Sequence, residues 1–175
     1  MSAPEPKPDQ TDNVRLRPAN EGDWPELKRW LALPGVVQWW GSANAVEAEI
    51  RIVFETPSAV ARIIQLDGRP IGYAHAIDST HWGQDLPNGM PRGTYDVDCL
   101  IAEPHHRGRG IGRRAVEMLV DEVFATTLCI ACSVTVPVRN ETVVRAYEKI
   151  GFRWVEVFDD PEVGPSWLML KHRPS

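Results

Sequence analysis

Along this chain the spacing of apolar positions switches between two and about three and a half residues, and each switch marks an element. In "VRLRPA" (14–19) apolar and charged positions alternate, as on a strand with one face covered. "WPELKRWLAL" (24–33) has helical spacing, Asp23 and Glu26 have the form of a capping box at its start, and Pro34-Gly35 is expected to stop it. A second helix is expected from about Asn44 to Thr56, with Asn44 and Glu47 as its cap pair. "AVARIIQL" and "PIGYAHAI" flank the turn pair Asp67-Gly68, which predicts a β-hairpin. Residues 79–93, "STHWGQDLPNGMPRG", read as a loop, and "TYDVDCLIA" (94–102) returns to strand. Ile111, Ala115, Met118, Leu119 and Phe124 recur as on one helical face. The remainder reads as strand (128–136), helix (140–149) and strands over 151–158 and 166–171.

That order, β-α-α-β-β-β-α-β-α-β-β with no repeat, predicts an α+β (mixed α/β) domain around one mixed sheet over residues 14–173. Residues 1–13, "MSAPEPKPDQTDN", are polar and proline-rich and are expected to form a disordered tail, with no apolar run suited to a signal peptide or membrane span.

A chain of 175 residues, 43% of them hydrophobic, fills one compact core. Lys and Arg number 19 against 24 Asp and Glu, a net charge of -5, which disfavours nucleic acid and suits a cationic small molecule. The odd cysteine count (Cys99, Cys129, Cys132) without a secretion signal points to reduced thiols and the cytoplasm. "CIAC" falls in the β-favouring run "LCIACSVTV", where residues three apart face opposite sides, so structural cysteines and no metal site are expected. His105 and His106 have no carboxylate or cysteine nearby to complete a metal site, and read as surface residues.

The most informative stretch is "RGRGIG" (107–112), between a strand and a helix. Its glycines let successive backbone N–H groups converge where the helix dipole also favours an anion, so a phosphate or pyrophosphate is the expected ligand, with Arg107 or Arg109 at the rim. A dinucleotide fold would need G-x-G-x-x-G and an acidic residue about twenty positions on, and a P-loop would need Gly-Lys-Ser/Thr; neither is present. An ordinary glycine-rich turn is the remaining alternative.

"RGRGIG" resembles the acyl-CoA-binding motif Gln/Arg-x-x-Gly-x-Gly/Ala of the GNAT acetyltransferase superfamily, with Arg107, Gly110 and Gly112 in the motif positions. "NETVVRAYEKIGF" (140–152) is similar to that superfamily's later motif. The resemblance implies a largely antiparallel twisted sheet with helices on both faces and two splayed parallel strands in the middle. It implies acetyl-CoA as cosubstrate, its pyrophosphate on the turn formed by Arg107, Gly108, Arg109, Gly110, Ile111, Gly112 and Arg113. The pantetheine arm would run past Leu100 and Ile101, between strands near 99–103 and 130–135, with Asn140 beside it. "VVQWWG" (36–41), "PIGYA" (70–74), "VDCLIAEPHHRGRGIG" and "RAYEKIGF" look most like the aminoglycoside 6′-N-acetyltransferases, which implies a soluble antibiotic-resistance enzyme acting as a monomer or homodimer.

The chemistry can also be argued from the residues. On a strand Asp96 and Asp98 share one face, about 7 Å apart, and Tyr95, Val97 and Cys99 the other. An ammonium must lose a proton before it can attack a thioester, so Asp98 is the expected base and Asp96 its partner in holding the cation; a solvent-facing strand edge is the plainer reading. Tyr147 is the expected acid for the departing thiolate, the alternative being a core tyrosine. Trp39 and Trp40, with Tyr73 and Trp82, are expected to wall a substrate pocket that His75 also lines, with Asp85 and the strand aspartates binding ammonium groups. Cys99 has no base to activate it, so direct attack in a ternary complex is favoured. Acetylation of another amine, such as a siderophore hydroxylamine or protein N-terminus, and a non-catalytic acyl-CoA-binding module remain open.

Overall fold

The computed structural model describes residue 11, residues 13–83 and residues 86–175. Most of the expected tail, and Asp85, lie outside the described residues. Seven strands, β1 (Val14–Pro18), β2 (Val60–Leu66), β3 (Arg69–Asp78), β4 (Thr94–Ile101), β5 (Ala131–Pro137), β6 (Arg153–Asp160) and β7 (Gly164–His172), form one sheet in the order β1-β2-β3-β4-β5-β7-β6. Every neighbouring pair is antiparallel except β4 and β5, so the mixed, largely antiparallel architecture expected from the sequence is the one adopted.

Five helices cover both faces: α1 (Trp24–Leu31), α2 (Pro34–Trp40), α3 (Ala43–Glu55), α4 (Ile111–Thr126) and α5 (Glu141–Lys149). On one face α4 buries Ile111, Ala115, Val116, Leu119, Val120 and Val123 against β-strand residues such as Ile64, Val97 and Val134. Removing each of its larger aliphatic side chains from water contributes roughly 1.5–3 kcal/mol. On the other face Leu27, Trp30, Val46 and Ile50 pack over Ile63, Tyr73 and Leu100. Tyr95 and Val97 join the first core and Leu100 the second, so Asp96 and Asp98 face the side of α1 to α3, as the strand alternation predicts.

The parallel pairing is short. It runs through Thr94↔Ala131, Tyr95↔Cys132 and Asp96↔Ser133 and ends there, after which β4 and β5 diverge. Across the last pair the Ser133 hydroxyl donates to Asp96 Oδ1 at 3.0 Å.

Four local expectations are corrected. Pro34 opens α2 instead of only stopping α1, because at the first helical position its missing N–H has no bond to lose, and Trp39 and Trp40 are the last residues of that helix. The capping box is formed one step earlier, by Asn20 and Asp23, and opens a 3-10 turn (Glu21–Asp23) that leads into α1. Asp23 also pairs with Arg17 at 2.7 Å, which holds its carboxyl below the usual range. Ser42, not Asn44, caps α3 by accepting from the Ala45 N–H. Finally β5 begins at Ala131, which leaves Cys129 before the strand; it and Cys132 are buried in mutual contact, not on opposite faces. Among the described residues no helix is long and apolar enough to cross a membrane.

Candidate active site

After β4 the chain makes a short 3-10 turn (Pro104–His106) and reaches the glycine segment. Gly108 has φ 72 and Gly110 φ 77, a left-handed conformation that a side chain makes costly. Gly110 is the N-cap of α4 and supplies no side-chain acceptor, so the N–H groups of the first turn face outward at the positive end of a helix of 16 residues.

These groups open onto a groove of about 620 Å³. Leu100, Ile101, Gly108, Gly110, Gly112 and Arg113 line its turn side, and Asn140, Val143, Ala146 and Tyr147 line it from α5. The groove enters the sheet where β4 and β5 part, and so can take a long flexible arm with an anionic end. Arg107 lines the groove as expected, and its guanidinium also donates to the carbonyls of Ile101 (3.1 Å) and Ala102 (3.0 Å), which braces the turn. Arg109 lies in the turn but does not line the groove. Besides Arg107 and Arg113, Arg145 and Lys149, one helical turn apart on α5, bring positive charge to it, a pair whose i, i+4 spacing was visible in "RAYEK".

A second cavity of about 290 Å³ adjoins the groove, and Trp39, Trp40, Cys99, Asn140, Val143 and Tyr147 line both. Five carboxylates face it, Glu49 from α3, Asp96 and Asp98 from β4, and Asp160 and Glu162 from the β6–β7 corner. No basic side chain is among its described lining residues. Glu49, Asp160 and Glu162 were not anticipated. Glu49 stands one place before the buried Ile50 on an otherwise ordinary amphipathic helix, and only the sheet crossing brings it opposite β4.

The crowding of negative charge shows in the acids themselves. Burial, then Asp98, Asp160 and Glu162, push Glu49 up to about 7. Asp96 is half-buried at the cavity wall, and burial and Asp98 raise it well above the carboxylate range, against the opposing hydrogen bonds from Ser133 and from Trp82 Nε1 at 3.0 Å. Asp96 therefore anchors the Trp82 wall while also lining the cavity. Tyr147, buried against Phe152, is raised well above its ordinary value by burial, then by Cys99, Asp98 and Asp96, so its hydroxyl is a proton donor throughout the neutral range. Burial and Asp98 push the Cys99 thiol up to about 12, which leaves no thiolate for nucleophilic attack.

Tyr73 and His75, expected in the pocket wall, do not line the cavity. Both are fully buried in β3, with His75 Nδ1 3.1 Å from the Tyr73 hydroxyl and His75 Nε2 3.4 Å from Asp98 Oδ2. Asp85 lies outside the described residues.

The turn makes a direct prediction. Gly110→Asp puts a side chain and a negative charge at a left-handed N-cap facing the groove. Acetyl-CoA affinity in calorimetry should fall more than tenfold, about 1.4 kcal/mol or more, in a variant that remains folded.

Comparison with known proteins agrees with this geometry. The acetyltransferase (GNAT) domain model matches residues 19–160. An aminoglycoside N(6′)-acetyltransferase type 1 of Klebsiella pneumoniae is 29% identical over 173 residues, spanning 93% of this chain and 84% of that protein. The structure of AAC(6′)-Ib with paromomycin and acetyl-CoA superposes with a TM-score of 0.76 at 28% identity, covering 93% of this chain and 94% of that one. A complex of AAC(6′)-Ib with coenzyme A and kanamycin gives a TM-score of 0.75 at 27% identity, covering 91% and 95%.

Proposed function

The chain belongs to the GNAT acetyltransferase family, and on that premise we propose that it transfers the acetyl group of acetyl-CoA to the 6′-amine of a polycationic aminoglycoside. The observation that carries this reading is the second cavity, which has five carboxylates and no basic described lining residue and meets the groove at Tyr147. Such a cavity repels anions and binds several ammonium groups at once, and the tryptophans at its edge suit sugar rings. The similarity to aminoglycoside N(6′)-acetyltransferases, including one solved with kanamycin, supports the same acceptor class.

Acetyl-CoA supplies an activated acetyl thioester. On this reading the first-turn N–H groups of α4 and Arg113 hold its pyrophosphate, and Arg145 and Lys149 add charge of the opposite sign to the phosphates. The parted strands β4 and β5 admit the pantetheine arm, so that the thioester lies near Cys99 and Tyr147. Asp98 takes a proton from the acceptor ammonium, directly or through one water, freeing the nitrogen lone pair to form the new C–N bond. Tyr147 donates its hydroxyl proton to sulfur as the C–S bond breaks, and is reprotonated by the second proton that the acetylated nitrogen sheds, directly or through water, as it becomes a neutral amide, while Asp98 releases the first to solvent. Glu49, Asp160 and Glu162 bind the remaining ammonium groups, and a cation arriving at Glu49 draws off the proton it holds near neutral pH. All these groups come from one chain, so a monomer suffices for the chemistry, and the buried thiols suit a reducing cytoplasm.

The reading is tested by acetyl-CoA consumption with a panel of acceptors. Kanamycin and ribostamycin should be acetylated with KM rising as salt is added, because screening weakens ammonium binding. A neutral amine, a peptide N-terminus or a hydroxylamine used as well as kanamycin would overturn the assignment.

A further inference from the structure

The mechanism above leaves one buried basic group unused. His75 stands directly opposite Asp98 in the β3–β4 register, and its side chain is fully enclosed. Its Nδ1 lies 3.1 Å from the Tyr73 hydroxyl, itself fully buried. Its Nε2 has no hydrogen-bond partner among the described residues and lies 3.4 Å from Asp98 Oδ2. We propose that His75 is the positioning residue of the reaction, holding the Asp98 carboxylate aimed into the cavity from behind. The proposal rests on the reading of Asp98 as the base.

The hydrogen-bond pattern gives the arrangement its direction. Burial and Asp98 keep the Tyr73 phenol protonated, so it can donate to His75 Nδ1. A neutral imidazole that accepts at Nδ1 carries its proton on Nε2, which is the nitrogen facing Asp98. The ring cannot turn away, since Tyr73 packs edge-on against it at 5.5 Å and Trp82 lies at 6.5 Å. Asp98 is the less enclosed partner, with 29% of its side chain exposed. A small rotation of its carboxylate completes the hydrogen bond, as catalytic contacts commonly tighten when substrate binds.

The charges around Asp98 show why such a partner is needed. Asp96 and Cys99 on β4, Glu49 on α3, Tyr73 on β3 and Tyr147 on α5 all interact with it, and none of them is a cation. The neighbouring acids Asp96 and Glu49 disfavour a further negative charge, so an imidazole N–H favours the ionised, proton-accepting form of Asp98. Without it the ionised carboxylate loses that hydrogen bond and its aim into the cavity.

The test is the pH profile of kcat/KM with kanamycin for His75→Leu, His75→Gln and Tyr73→Phe, alongside Asp98→Asn, with acetyl-CoA affinity and melting temperature measured for each. In His75→Leu the acidic limb should move up by about one pH unit, with activity at pH 7 down roughly tenfold and recovering in alkali. His75→Gln keeps an N–H near the Nε2 position and should restore the profile. Tyr73→Phe, which loses only the group that fixes the tautomer, should shift the limb less, in the same direction. In an Asp98→Asn background His75→Leu should cost nothing further. A wild-type profile in His75→Leu, with Asp98→Asn inactive, would overturn the role of His75 and leave the base assignment standing. A loss uniform across pH and unrescued by glutamine would also overturn it, by making His75 a packing residue only. An active Asp98→Asn would instead refute the base assignment itself.

Discussion

Asp98→Asn should lower turnover of kanamycin by about 10² to 10⁴-fold at neutral pH while leaving acetyl-CoA affinity close to that of the wild type. The acceptor amine is protonated there and has no lone pair to offer, so removal of its proton is a requirement of the reaction. An amide has nearly the shape of the carboxylate but cannot take that proton. The loss is chemical and not a matter of folding, because the Asp98 side chain is partly exposed to the cavity and its close contact with His75 is the one derived from the register of β3 and β4. The defect should be deepest between pH 6 and 7 and shrink as alkali supplies free amine, which steady-state rates across pH would measure. An Asp98→Asn enzyme with full activity throughout would remove Asp98 from the mechanism.

Tyr147→Phe should lower kcat by roughly 10²-fold with little change in acetyl-CoA affinity. The ring packs on Phe152 at 5.6 Å and the helix around it is unchanged by loss of one oxygen, so stability is expected to move little. Tyr147 lines both cavities. Its raised pKa makes it a poor base and a persistent donor, and the loss should therefore show no new ionisation between pH 6 and 9. Single-turnover kinetics are the appropriate measurement, since slow product release would conceal a slower chemical step. A wild-type single-turnover rate would return Tyr147 to the core.

What the sequence made legible were the features written in contiguous residues. The glycine turn follows from backbone freedom at 108 and 110, the shared face of Asp96 and Asp98 from the alternation of "TYDVDC", and the helix that carries Tyr147 from "RAYEKIGF". Local competition hid others. Pro34 is equally suited to ending one helix and opening the next, and which occurs depends on whether the following residues pack; Val36 is buried, so they do. Ser42 and Asn44 are both good caps, and the choice between them is made by where α3 meets the core at Val46 and Ile50.

The rest of the site depends on tertiary approach. Tyr73 and His75 have residue types that suit a pocket wall, yet β3 is central in the sheet and covered on both sides, so they sit behind Asp98. Glu49 comes from α3 and Asp160 and Glu162 from the β6–β7 corner, and they become a single acidic surface with β4 only after the sheet is assembled. Arg107 falls in the expected motif position and lines the groove, but that its guanidinium also holds the carbonyls of Ile101 and Ala102 is seen only in the folded turn.

The central claim is that the acidic cavity presents one amine of a polycationic sugar to the thioester at Tyr147. The most direct measurement is the NMR spectrum of kanamycin after reaction with acetyl-CoA and this enzyme. A single N-acetyl group at the 6′ position is the predicted result. Acetylation at another amine or at a hydroxyl, or no acetylated kanamycin while acetyl-CoA is turned over on a different acceptor, would contradict it.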